Sequence, residues 1–92
     1  MEIARVDILD EDKLERKHNV RAKEVFDVMH HKPRIRFTQH GRAKGEDVYA
    51  AYAKTEGGRF LVVFFIYKIN RVALVISARE MDESERKRYA RK

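Results

Sequence analysis

Two apolar segments in the last third of the chain each close on a cation, and a basic segment carrying a tyrosine follows them. The first is Phe60-Leu-Val-Val-Phe-Phe-Ile-Tyr67, followed by Lys68; the second is Val72-Ala-Leu-Val-Ile-Ser-Ala78, closing on Arg79. The third, residues 82–92, carries Arg86 and Tyr89. A cation held by the end of a rigid strand is placed to grip a phosphate, and a tyrosine on an adjacent helix can stack on a base or donate a proton. Arg86 lies three residues before Tyr89, hence on the same helical face, where it can add a phosphate contact. Together these residues point toward RNA. Each has a plainer competing reading: Arg79 in a salt bridge with Glu80 or Glu83, Lys68 as a solvated hairpin lysine, Tyr89 packed against a sheet, Arg86 as a solvated charge.

The elements that must position these groups follow from pattern. Asp10 is suited to cap a short helix over residues 11–18, and Asn19 suits the left-handed stop after it. A second helix over residues 22–31 places Val25, Phe26, Val28 and Met29 on or near one face, and Pro33 prevents it from running on. Residues 34–38 alternate cation and apolar side chain, as an exposed edge strand does. A polar loop with Gly41 and Gly45 leads to a second strand over residues 48–54, and Gly57-Gly58 signals a hairpin. The segment 60–67 is apolar on both faces, which predicts a central strand covered by helices on at least one side. Residues 68–71 form the return turn to a fourth strand ending near Arg79. Asp82 with Glu85 three residues later opens the last helix in the manner of a capping box. The predicted order is ααββββα, an α+β fold with a four-stranded antiparallel sheet.

The chain has 92 residues, expected to form a single domain over 1–92, with 21 lysines and arginines against 15 acids and a formal charge of +6. Late clustering of the cations favours a polyanionic partner over charge carried for solubility alone. The absence of cysteine excludes disulfides and thiolate metal sites and is compatible with a reducing cytoplasm. The longest apolar run is of strand length, far short of the ~20 residues a membrane helix needs. The acid-bearing N-terminus is unlike a signal peptide, so a soluble cytoplasmic protein with no membrane partner is expected. His30 and His31 are helical neighbours pointing about 100° apart and are ill placed to share an ion; no metal or cofactor is expected. Ser77 has no histidine–aspartate pattern near it that would make it a nucleophile.

With these segments in place, the chain resembles the BrnT family of type II toxins, ribonucleases with a RelE-like fold. Lys17-His18-Asn19-Val20 is similar to the family's Lys-His-Gly-Val turn, and Glu24-Val25-Phe26 to the Glu-Val-Phe of its second helix. Gly45-Glu46 resembles the Gly-Glu that opens its second strand, and Gly58-Arg59-Phe60-Leu61-Val62-Val63 its central hairpin. The most specific match is Ile76-Ser77-Ala78-Arg79 with Glu85-Arg86 and Tyr89 behind it. The resemblance spans about residues 9–90. Two positions depart from it: Val48 and Leu74 stand where the family usually has arginine.

The resemblance implies a metal-independent endoribonuclease in which the RNA 2′-hydroxyl attacks the adjacent phosphate. Such a reaction needs a base, cations for the phosphoryl oxygens and a proton for the leaving oxygen. On this reading Arg79, Lys68, Tyr89 and Glu46 form the catalytic set, with Glu46 as the base, and Arg86 and Arg59 contact RNA. The implied partner is a ribbon-helix-helix antitoxin (BrnA-like), held in a heterotetramer of two chains each, and operator DNA is reached only through that antitoxin. An acidic or amphipathic partner segment is expected to pair with Lys68, Arg79 and Arg86 across one end of the sheet. A second reading, carried by Val48 and Leu74, is an RNA- or protein-binding module that keeps the toxin fold without catalysis.

Overall fold

The computed structural model describes residues 1–91, so the expected helical segment's last residue, Lys92, lies outside the described residues. Eight elements follow one another: β1 (Arg5–Ile8), α1 (Glu11–His18), α2 (Ala22–His30), β2 (Arg34–Gln39), β3 (Val48–Lys54), β4 (Phe60–Tyr67), β5 (Val72–Glu80) and α3 (Glu83–Ala90). The sheet order is β1-β5-β4-β3-β2. Strands β2 to β5 form the expected antiparallel meander, with β4 in the middle. The sheet is nevertheless five-stranded and mixed, which corrects the four-stranded antiparallel expectation: β1 adds to the far edge, parallel to β5. Its four residues alternate polar and apolar and place Val6 and Ile8 opposite Ala73 and Val75. Because its partner lies at the other end of the chain, no hairpin turn announces it.

Local chemistry sets the helix ends. The Asp10 carboxylate accepts from the Lys13 backbone N–H at 3.0 Å, and Asn19 closes α1 with φ 52°. In α3, Asp82 accepts from the Glu85 N–H at 2.7 Å while Glu85 accepts from the Asp82 N–H at 2.9 Å, the reciprocal capping box. The β3–β4 hairpin turns through Gly58 at φ 90°, a conformation costly for any residue with a Cβ.

Alternation along β4 feeds two separate cores. Leu61, Val63 and Phe65 point toward α1 and α2, where they pack with Leu14, Val25, Val28, Ala73, Val75 and Ala78. Val62 points the other way with Ala50 and Met81, against which Phe60, Phe64, Tyr52 and Tyr89 pack. The central strand is therefore covered on both faces, by the helix pair on one and by α3 over part of the other. Phe26, expected near the packed face of α2, is 39% exposed.

β5 contains a one-residue irregularity. Phe64 pairs with Ser77 but Phe65 with Val75, so Ile76 is an extra residue in the ladder. Val75 and Ala78 both join the α1/α2 core as a result, and Ser77 and Arg79 belong to the opposite, α3-covered face.

Candidate nucleic-acid interface

The α3-side face of the sheet is laid out in cross-strand rows. One row runs Arg34, Tyr52, Val62, Arg79; the next runs Arg36, Ala50, Phe64, Ser77. Side chains in such rows are immediate neighbours, so two arginines from the edge strand and one from β5 share a surface with a tyrosine between them. α3 closes one end of it. A cavity of about 320 Å³ results, lined by Arg34, Arg36, Tyr52, Glu85, Arg88, Tyr89 and Arg91.

The arginines are fixed to differing degrees. The Arg34 guanidinium lies 5.1 Å from the Tyr89 ring centroid and donates to the Arg91 carbonyl at 2.6 Å. Among the described residues Arg34, Arg36 and Arg88 have no ion-pair partner, unlike Arg5, Arg59, Arg71 and Arg79. Uncompensated arginines around one concavity make a site for an anion with several oxygens, and the tyrosine rings add faces on which a base can stack.

Arg79 stands behind this cavity. Its two terminal nitrogens donate to the two Glu85 oxygens at 2.7 and 2.9 Å, and it reaches the Glu80 carbonyl at 3.1 Å. Its guanidinium lies 5.4 Å from the Phe64 ring centroid. The Glu85 side chain is 9% exposed and that of Arg79 40%. The bidentate guanidinium holds the Glu85 carboxyl below the usual carboxylate range, against burial, which acts upward; the Asp82 N–H helps to lower it. The ion pair of Arg79 is thus made with Glu85, not with Glu80 or Glu83.

Tyr89 is half-buried, its ring edge-on to Phe60 at 6.1 Å, and it lines the cavity. Arg86 touches the same Phe60 ring, 4.4 Å from its centroid, but lines a separate hollow with Met81 and Lys87 on the other side of α3. Lys68 follows the opposite end of β4. It lies six positions beyond Val62, the partner of Arg79, which at about 3.4 Å per residue is roughly 20 Å. The expectation of Lys68, Arg79 and Arg86 in one cluster at the sheet's end is corrected accordingly. Glu46 lies at the Lys68 end too, in the loop before Val48, and accepts from the Ala43 N–H at 3.2 Å. Arg59 is taken up by the fold: it binds both Glu24 oxygens at 2.8 and 2.9 Å, the Asn19 carbonyl at 2.8 Å and Glu80 at 3.1 Å.

Five lining residues, Arg34, Arg36, Tyr52, Arg88 and Arg91, were not among the residues singled out from sequence. The alternation of Arg34 and Arg36 about Ile35 was a usable signal, since it puts both cations on one face of an edge strand. It carries no information on which face α3 covers. Val48 and Leu74, the two departures from the family pattern, fall in a single row on this same face, joined through Ile66.

Among known proteins, the family model described as ribonuclease toxin, BrnT, of type II toxin-antitoxin system matches residues 10–85. No curated protein matches the chain. No helix among the described residues is long and apolar enough to cross a membrane.

Proposed function

The chain belongs to the BrnT family of ribonuclease toxins of type II toxin–antitoxin systems, and on that premise we propose that RNA is cut at the α3-side cavity without a metal ion. The 2′-hydroxyl gives its proton to water as its oxygen bonds to the adjacent phosphorus, the bond to the 5′-oxygen breaks, and that oxygen takes up a proton, leaving a cyclic phosphate and a 5′-hydroxyl. Arg34, Arg36 and Arg88 hold the phosphate and its neighbours, and Arg79 contributes the N–H groups that Glu85 leaves outward. Tyr52 and Tyr89 offer ring faces to the bases or a hydroxyl proton to the leaving oxygen.

Among the described residues, Glu85 is the only carboxylate lining the cavity. A general base works best with a pKa near the working pH, and Glu85 is held in the opposite direction. Its role in this scheme is to fix Arg79. The reaction then draws mainly on orientation and charge stabilisation, which arginines supply well. Glu46 and Lys68, at the far end of the sheet, and Arg59, engaged by two carboxylates, have no part in it. The observation that carries the reading is the convergence of Arg34, Arg36 and Arg88, without ion-pair partners among the described residues, on a tyrosine-lined cavity.

A type II toxin has an antitoxin partner. We infer a ribbon-helix-helix protein, two copies with two toxins, and contact with operator DNA through that partner alone. The second reading, binding without cleavage, draws on the apolar row Val48–Ile66–Leu74 beside the arginines.

The test is cleavage of a mixed RNA pool by purified protein in the presence of a chelator, comparing wild type with the doubly substituted Arg34→Ala/Arg36→Ala. Loss of one charge-stabilising contact typically costs on the order of 10²–10³ in rate. Affinity for a 2′-deoxy analogue should also lose salt dependence, by about 0.7 in log–log slope for each phosphate contact removed. Equal cleavage by both proteins moves the site elsewhere; tight RNA binding without cleavage by the wild type supports the second reading.

A further inference from the structure

α3 covers only part of its side of the sheet. Beyond it Val48, Ile66 and Leu74 stand side by side across β3, β4 and β5, paired in register. All three are half-buried and belong to neither core cluster. An antiparallel sheet can turn one face to water, but that face is then polar. Three aliphatic side chains in one cross-strand row are instead the pattern of a surface that another element covers.

Cations stand on both sides of the row, and Asp7 of β1, in register with Leu74 and bound to Arg5, ends it on the β1 side. On the cavity side Arg36 occupies the next row and Arg79 the row beyond it. At the other side the loop entering β3 carries Arg42 and Lys44, and the turn leaving β4 carries Lys68, none with an ion-pair partner among the described residues. A second copy of this chain fits poorly there, because each copy has a formal charge of +6 and would oppose cation to cation. A partner strand fits poorly as well, since a sheet face, unlike an edge, offers no free backbone groups to pair with.

We propose that this row seats an amphipathic helix of the antitoxin, its apolar stripe on Val48, Ile66 and Leu74 and its acidic flanks against Arg36 and Arg79 on one side and Lys68 on the other. The inference rests on the reading of this chain as a toxin held silent by a protein partner. Seated there, the helix lies beside the cavity and ties up Arg36, which lines it, and Arg79 behind it, so that docking and inhibition are one event. Binding energy comes from the apolar row, and the acids set orientation and neutralise the cations the RNA needs.

The experiment uses the full chain co-purified with its operon-encoded antitoxin. Ile66→Glu and Leu74→Glu should each weaken toxin–antitoxin affinity at least tenfold while RNA cleavage by the free toxin stays within threefold of wild type. In the wild-type complex, backbone amides around 48, 66 and 74 should gain protection from hydrogen exchange; that measurement decides the matter should a variant fail to fold. Unchanged affinity in both variants, or no added protection, overturns the docking surface. A free toxin that is dimeric, and made monomeric by Leu74→Glu without loss of antitoxin affinity, assigns the row to self-association and overturns it too. If the wild type cuts no RNA yet the binding results hold, the cleavage reading falls and the docking surface stands.

Discussion

Arg79 and Glu85 hold each other through two parallel hydrogen bonds, joining the last turn-side residues of β5 to the first turn of α3. The same Glu85 carboxylate accepts from the Asp82 N–H, so one buried side chain both caps the helix and aims the arginine. Helix position and guanidinium position are therefore not independent in this protein. A substitution at Glu85 reads out both.

Replacing Glu85 with glutamine should cost roughly 1–3 kcal/mol at neutral pH, the range for stripping charged hydrogen-bond partners from a mostly buried group. The cost depends on pH with a definite sign. The folded-state pKa of Glu85 is depressed, so its contribution is complete above the ordinary carboxylate range and is lost as pH falls through the folded value. Urea midpoints for wild type and variant should differ most near neutrality and converge in strong acid. A gap that stays constant across that range would separate Glu85 from any ionic role.

Arg79→Ala should reduce RNA cleavage by on the order of 10²–10³ with the fold retained by circular dichroism. Arg79→Lys should rescue little, because an ammonium cannot reproduce the two-pronged contact with Glu85 while also facing the phosphate. Full activity in the lysine variant would show that charge alone suffices.

Arg59→Ala is expected to behave in the opposite manner. Its guanidinium links Glu24 of α2, the α1–α2 turn and Glu80 of β5. Its loss should lower stability by about 2 kcal/mol while leaving cleavage per folded molecule close to wild type. Chemical denaturation and turnover on the same preparation distinguish this from a role in binding RNA, in which turnover or affinity falls and stability does not.

Phe65→Ala tests the packing of β4. The ring is fully buried and stacks on Tyr49 with centroids 5.8 Å apart. Truncation should cost roughly 3–5 kcal/mol. A loss below 1 kcal/mol would mean the site collapses around the gap, contrary to a core packed from both sides.

Much of the fold was legible because it rests on local chemistry. Asp10, Asn19 and the Asp82–Glu85 pair mark helix ends by side-chain type, and the run 60–67, apolar at every position, announces a strand buried on both faces. β1 was not legible: Arg5-Val-Asp-Ile is short, and what makes it a strand is Val72–Val75, almost seventy positions away. The candidate site was legible where a motif drew attention to one residue, Arg79 beside the cavity or Tyr89 in its lining, and silent where residues are only gathered by the fold. Arg34 and Arg88 are ordinary surface cations until β2 and α3 are seen to meet the same cavity. Lys68 shows the converse, since it follows the end of β4 that lies away from the candidate cavity.

The extra residue at Ile76 has a consequence for how this protein can change over time. Side chains of β5 before it and after it are out of phase, and Arg79 reaches the cavity side because the bulge absorbs one of the four steps from Val75. Flatten the bulge with every residue kept and Ser77 and Arg79 exchange places with Ala78, driving a charge into the larger core and turning a methyl toward the cavity face. Most single replacements in this stretch alter one side chain; an added residue alters the address of every one that follows, whereas loss of Ile76 leaves a regular strand with each address kept. Lineages of this toxin should therefore accept loss of the extra residue, which restores regular alternation, far more readily than gain of another.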